Sequence, residues 1–306
     1  MPVMPAVGPA VITLGVFDGV HRGHRHLLAA TAAAAHERDA ASVAIVFTPH
    51  PDEVIRPGTV VPRLVPPDVT LDRLRDVVDH VVEIPFDERL RALEAHEFLE
   101  SLAPAMELRG IVMTPGSAFG RRRGGTPDRV AEIGAGSGFD MILVEPLVAE
   151  GEPVSSTRVR EALATGNVEH AHDLLGAAPV LRGTVVHGDQ RGRELGYPTA
   201  NLAFDYPPAL PALGIYTGRV HVPERGVGPD HPALVSVGKR PTFHDDGRIL
   251  VEVFLLDWDG DLYDAVLEVT LEGRLREELR FESVEALVLQ MGADEREART
   301  RLAVSD

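Results

Sequence analysis

The sequence predicts two folded parts: a doubly wound parallel α/β domain, then a small antiparallel barrel or sandwich with a C-terminal helix. Three observations predict this. In the first half, short apolar runs alternate with Ala/Leu-rich helical segments, the pattern of βαβ units. After Pro179, strand-like runs follow one another with Gly, Pro and Asp turns between them. The length of 306 residues suits two domains, at roughly 150 residues each.

Taken in order, Val11–Leu14 reads as a strand, His24–His36 as a helix and Val43–Phe47 as a second strand. Leu71–Val78 is helical, His80–Ile84 a strand, Glu94–Leu102 a helix, Gly110–Met113 a strand, Pro127–Ile133 a helix and Phe139–Val144 a strand. Ser156–Ala164 and Val168–Leu175 follow as short helices; Ser155, Ser156 and Thr157 can cap the first and Gly166 can stop it. Gly176–Pro179 reads as the boundary, giving domains over 1–178 and 179–306. Beyond it, Val180–His187, Gly214–Val222, Ala233–Val237, Ile249–Leu256 and Ala265–Leu271 are strand-like, and Val284–Arg301 is helical.

Composition narrows the function classes. Hydrophobic residues make up 44% and charged residues 25%, as in ordinary globular proteins. With no cysteine, disulfides, iron–sulfur clusters and thiolate zinc sites are excluded. The net charge is −17 and Lys239 is the only lysine, so broad binding to a phosphate backbone is disfavoured, although a local basic pocket is not. No apolar run approaches the about 18 residues of a membrane span, and the first ten residues lack a basic n-region. The expectation is a cytoplasmic enzyme of small-molecule substrates, monomeric or weakly self-associating, without nucleic-acid or membrane partners.

The strongest local signal is Gly15–His24, GVFDGVHRGH, where a strand runs through a Gly-rich turn into a helix beginning at the second histidine. Glycines let backbone N–H groups approach phosphate, and a helix N-terminus favours negative charge. His21 and His24 there can donate hydrogen bonds to phosphoryl oxygens, as nucleotidyl transfer requires. A helix cap with two surface histidines is the plainer alternative. Zinc on this pair lacks a third ligand at a recognisable spacing. Ser155–Arg160, SSTRVR, gathers hydroxyls, free N–H groups and Arg158 at a helix start, which suits a triphosphate and also an ordinary cap. Phe47–Pro51, FTPHP, follows the second strand, where ligands of open α/β sheets bind.

In the second half, Gly188–Asn201 is a Gly-rich turn between strands, able to wrap a phosphate or simply to connect a barrel. Thr199 and Asn201 offer oxygens to a hard cation such as Mg²⁺. Asp257–Asp261 lacks the downstream glutamate and flanking helices of a calcium loop.

In this order, GxFDGVHxGH, FxPHP, SSTRVR and then GxxxGRxLGxPTAN resemble the bifunctional prokaryotic riboflavin kinase/FMN adenylyltransferases, or FAD synthetases, from about Val11 to about Arg301. The resemblance implies a Rossmann-like nucleotidylyltransferase domain of the HxGH type and an antiparallel β-barrel riboflavin kinase domain with a C-terminal helix. It implies that ATP phosphorylates riboflavin to FMN and adenylylates FMN to FAD with release of pyrophosphate, with Mg²⁺ required. His21 and His24 would stabilise the α-phosphate. Ser156, Thr157 and Arg158 would hold the ATP phosphates, Phe17, Asp18 and Gly19 would shape the nucleotide floor, Gly23 would help bind ATP, and His50 would lie near the substrate phosphates. In the kinase, Gly188, Arg191 and Gly192 would wrap ATP, Thr199 and Asn201 would lie near the metal, Glu252 would be the general base, and Arg276 and Phe281 would lie near the flavin.

The chain departs from the family pattern at two points. Met113–Gly120 stands for a GxDFxFG-like segment, with Gly116 where an Asp or Asn is usual and Ser117 where an aromatic is usual. Asp264 replaces a usual glycine. Gly116 leaves open a kinase whose first module is silent or turned to another nucleotide or flavin. A flavin-binding regulatory protein without turnover is the reading from a different class.

Overall fold

The computed structural model describes residues 6–188, 192, 195–239 and 249–304. Two compact units are present: residues 1–61 with 67–155, and residues 62–66 with 156–306.

The first unit is built on a five-stranded parallel sheet in the order β3-β2-β1-β4-β5. The strands are β1 (Gly8–Gly15), β2 (Ala41–Thr48), β3 (His80–Pro85), β4 (Met106–Met113) and β5 (Asp140–Leu143). Alternation along β1 sends Ala10 and Ile12 to one face and Val11 to the other. The helices α1 (Arg22–His36) and α3 (Pro67–Arg75) cover one face through Leu28, Ala34, Ala35 and Leu74. Helices α5 (Ala95–Leu102) and α6 (Pro127–Ser137) cover the other through Phe98, Leu99, Leu102 and Val130. Each Leu, Val or Phe side chain among these contributes roughly 1.5–3 kcal/mol on burial. Short helices α2 (Pro51–Ile55) and α4 (Glu88–Ala92) and the hairpin β6 (Val148–Ala149) and β7 (Glu152–Pro153) complete the unit. The strand order reverses at β1, between β2 and β4, which is where open α/β sheets open a crevice for ligands.

The second unit is a closed antiparallel barrel in the order β10-β11-β12-β9-β8-β13. Its strands are β8 (Val180–Val186), β9 (Ala200–Ala203), β10 (Gly214–Val222), β11 (Val227–Lys239), β12 (Ile249–Leu255) and β13 (Val266–Glu277). Val251, Val253 and Leu255 are buried, and Glu252 between them is not, so closure fills the interior with every second residue. Helix α9 (Val284–Arg301) packs Ala298, with Leu302 just beyond it, against Leu234 and Leu256. Helices α7 (Ser156–Ala164) and α8 (Val168–Leu175) cluster with this barrel, although the sequence boundary at 178 puts them in the first domain.

The segment Pro62–Pro66 lies between α2 and α3 in the chain but belongs to the second unit. Arg63 N donates to Pro207 O and Ala209 N to Arg63 O, a two-bond bridge, and Arg160 Nε of α7 donates to Pro62 O.

Candidate functional sites in the two units

In the first unit, the turn after β1 is held in a sparsely populated conformation. Phe17 stands at φ 54°, Gly19 at 79° and Val20 at 47°, all left-handed. For the β-branched Val20 this is a true outlier, and such residues cost of order 1–3 kcal/mol each. Val20 N donates to Phe17 O, which closes the turn at 2.9 Å. Phe17, Asp18, Val20 and His21 are buried.

Helix α1 starts at Arg22, two residues before the expected start at His24, because His21 is its cap. The His21 Nδ1 accepts from His24 N at 3.2 Å. That bond leaves the proton of a neutral His21 on Nε2. The His21 and His24 rings stack at 3.6 Å between centroids, and Phe17 meets His24 edge-on at 5.2 Å. His24 Nδ1 is enclosed without a hydrogen-bond partner. Burial, together with the neighbouring His21, holds the His24 imidazole well below its ordinary pKa of 6.5. Gly23 has no room for a side chain: a methyl there would lie 2.7 Å from Val154 O.

Two further turns stand at carboxyl ends of the same sheet. His50, after β2, caps α2 with Nδ1 accepting from Asp52 N at 3.1 Å, and the Thr48–Pro49 peptide before it is cis. After β4, Ser117 N donates to Thr114 O, with Pro115 and Gly116 in the corner and Gly116 at φ 78°. Nothing lies within 4 Å of a side chain added there. Arg121, Arg122 and Arg123 are exposed on a loop closed by the Phe119–Gly125 bridge. Ser156, Thr157 and Arg158 form the first turn of α7, in the second unit.

In the second unit, Asn201 on β9, Glu252 on β12 and Ser236 on β11 are register partners. Alternation puts all three on one outer row of the barrel. The Thr199 hydroxyl donates to Glu252 Oε1 at 3.3 Å. Gly188 abuts the Asn201 carboxamide and Gly192 abuts the Tyr197 carbonyl, so a methyl at either would collide. Thr199, Asn201, Glu252, Gly188 and Gly192 are therefore brought together. Arg191 lies outside the described residues, as do residues 240–243 of the Ser236–Phe243 segment, whose sequence resembles the family's S-x-G-x-x-PTF turn. Among the described residues, no three His, Asp or Glu side chains form a metal-sized cluster.

Arg276 lies over the Phe281 ring at 6.0 Å, so that pair is also brought together. Each nitrogen of Arg276 already donates within the unit: Nε and Nη2 to Asp294, and Nη1 to Glu277 O. Asp294 is only 6% exposed and also accepts from Gln290. Asp264 stands at φ 62°, which explains why a glycine suits that position and why an aspartate is tolerated.

Arg73, Val154 and Asp294 touch these sites and carry no motif of their own. Charge buried on a helix face is the signal that marks Asp294, and it is not visible before the fold is known.

A riboflavin kinase family model matches residues 175–302, and an FAD synthetase family model matches residues 4–158. The bifunctional riboflavin kinase/FMN adenylyltransferase of Pseudomonas fluorescens is 37% identical over 296 residues, covering 96% of this chain and 94% of its own. That of Escherichia coli K12 is 35% identical over 292 residues, covering 94% and 91%. The solved structure of a macrolide-efflux protein from Streptococcus pneumoniae superposes with a TM-score of 0.84 at 33% identity, over 98% of this chain and 95% of that one. Among the described residues, no helix is long and apolar enough to cross a membrane.

Proposed function

The chain belongs to the bifunctional riboflavin kinase/FMN adenylyltransferase family, and from that premise we propose which of its residues carry each of the two reactions. It is a transferase of flavin cofactor biosynthesis, with riboflavin, FMN, FAD and ATP as substrates and products. The silent-module and non-catalytic readings are not favoured, because both family models match and the relatives align along nearly the whole chain. The observation that carries the residue assignment is that each unit holds its own polar site: the stacked His21–His24 pair in one and the Thr199–Glu252 pair in the other.

The adenylyltransferase reaction is assigned to residues 1–178. An FMN phosphate oxygen bonds to the α-phosphorus of ATP, the bond to the α–β bridging oxygen breaks, and pyrophosphate leaves. His21 and His24 donate hydrogen bonds to the α-phosphate oxygens as charge builds there. A neutral His24 acts as a fixed dipole rather than as a charge. Phe17, Asp18 and Gly19 form the nucleotide floor, Gly23 allows close approach, His50 lies near the phosphates, and Ser156, Thr157 and Arg158 hold the triphosphate.

The kinase reaction is assigned to residues 179–306. Glu252 takes the proton from the riboflavin 5′-hydroxyl as that oxygen bonds to the γ-phosphorus of ATP; the β–γ bridging bond breaks and ADP leaves. The Thr199 hydroxyl orients the Glu252 carboxylate in the resting site. Gly188, Arg191 and Gly192 wrap the phosphates, and Arg276 and Phe281 border the flavin. A hydroxyl, a carboxamide and one carboxylate are hard oxygen donors, and they fit Mg²⁺ held jointly with ATP and water. Thr199 and Asn201 would hold it, and it would neutralise phosphate charge. The same reading has the enzyme cytoplasmic, monomeric or weakly self-associating, and without nucleic-acid or membrane partners.

The test is chromatography of flavins after incubation with Mg²⁺, ATP and either riboflavin or FMN. Riboflavin is expected to give FMN and FAD, and FMN to give FAD. His24→Asn is expected to abolish FAD while sparing FMN formation, and Glu252→Gln the reverse. If either variant stops both reactions in a folded protein, the assignment of separate sites fails.

A further inference from the structure

The turn after β1 has an easy way to relax. Flipping the Gly19–Val20 peptide plane changes ψ of Gly19 and φ of Val20 together. Gly19 meets no steric barrier to that change, and Val20 would leave φ 47° for the negative side, where a β-branched residue is comfortable. The flip would swing the Gly19 carbonyl away and carry along the backbone that leads into His21. A strained turn persists only where its surroundings over-determine it.

Two bonds oppose that flip: Val20 N donates to Phe17 O at 2.9 Å, and the Gly19 carbonyl on the other side of the same peptide plane is held by Arg73. Its Nη1 donates to Gly19 O at 2.8 Å, a charge-assisted bond. The neighbouring Leu74 is fully buried in one cluster with Phe17 and Val20, so α3 is seated against the turn itself. Arg73 thus reaches Gly19 from a fixed base, on an element outside the GVFDGVHRGH motif.

We propose that Arg73 is a positioning residue for nucleotidyl transfer: it pins the Gly19 carbonyl and thereby keeps the His21 cap and the His24 ring in register for the α-phosphate. The proposal rests on the assignment of adenylyltransfer to this turn. Arg73 itself touches no reacting atom.

The test compares Arg73→Met, which keeps the stem and removes the donors, with Arg73→Lys, which keeps a charged donor. Steady-state kinetics of FMN to FAD is the readout, and riboflavin to FMN by the same chain is the internal check on folding. Arg73→Met is expected to lower kcat for FAD formation roughly 10- to 100-fold, the scale of a misplaced catalytic group. KM for ATP and FMN should stay near the wild-type values, and kinase kinetics should not change. Arg73→Lys should fall between Met and wild type. An unchanged kcat, or a loss confined to KM, overturns the proposal. If Arg73→Met also loses kinase activity, Arg73→Lys decides on the same terms: a lowered kcat at constant KM supports the role and a wild-type kcat overturns it. Absence of FAD from the wild-type chain would instead sink the assignment of the turn.

Discussion

Gly23 shows how much one hydrogen atom can decide. In an exposed helix, replacing glycine by alanine stabilises by up to ~1 kcal/mol. Here the added methyl would meet the Val154 carbonyl at 2.7 Å and the His21 ring at 3.1 Å, and the first of these is backbone that cannot turn aside. Gly23→Ala is therefore expected to lower FAD formation by roughly tenfold or more, in a chain that still makes FMN, as read by the two flavin assays. His24 sets a second expectation. Its native pKa lies well below 6.5, so well above pH 6.5 neither the folded nor the unfolded chain protonates it, and stability is at its full value. As pH falls below 6.5 the unfolded chain binds the proton first, and stability declines until the native pKa is passed. Between pH 7 and 5 the wild-type melting temperature should accordingly drop further than that of His24→Asn. The two departures from the family pattern also make sense at this scale. Gly116 and Asp264 both stand at positive φ, where Gly, Asn and Asp are the residues that fit, so each substitution preserves the backbone. The sequence records which residue changed; the dihedral that makes the change harmless to the turn is not written there.

Among the elements, helices α7, α8 and α9 begin and end where the sequence puts them, because caps and periodicity agree. The strands are less legible. Only the middle of β11 is apolar enough to read, since Gly228, Pro229 and Pro232 look like turn residues yet lie within the strand. β9 starts inside the PTAN motif, which supplies its first two residues, Ala200 and Asn201. The joint of β13 and α9 was visible only as scattered charge. Asp294 is 8% exposed and Arg276 18% by side chain, and they meet at 2.6 Å. Asp294→Ala would strand the guanidinium, at a cost of about 2–4 kcal/mol after allowance for its partial exposure, measurable as a lowered unfolding midpoint. Replacing both partners by apolar residues should cost much less.

For the whole molecule, the order of motifs along the chain was enough to give two reactions, and the parallel sheet follows from local periodicity; periodicity left barrel or sandwich open for the second half, and the family resemblance pointed to the barrel. What the sequence did not convey is where compactness divides. α7 and α8, read as the tail of the first domain, pack with the barrel because Val159, Leu163, Leu174 and Leu175 are buried there, and apolar spacing alone does not say against what. An overall charge of −17 is compatible with anionic substrates because the candidate phosphate contacts are local: backbone N–H groups, hydroxyls, imidazoles and the guanidinium groups of Arg158 and Arg191.

The bridge between Arg63 and Pro208 has a consequence for how the protein comes into being. Translation delivers residues 62–66 long before residues 207–209 and Arg160, which they bond. While the ribosome is still making the barrel, residues 62–66 lack the bonds that Pro207, Ala209 and Arg160 supply later, and the nascent first half waits for them. A gene cut between codons 155 and 156 would make the wait permanent, and would leave the barrel without the one piece of its structure that is encoded upstream of the cut.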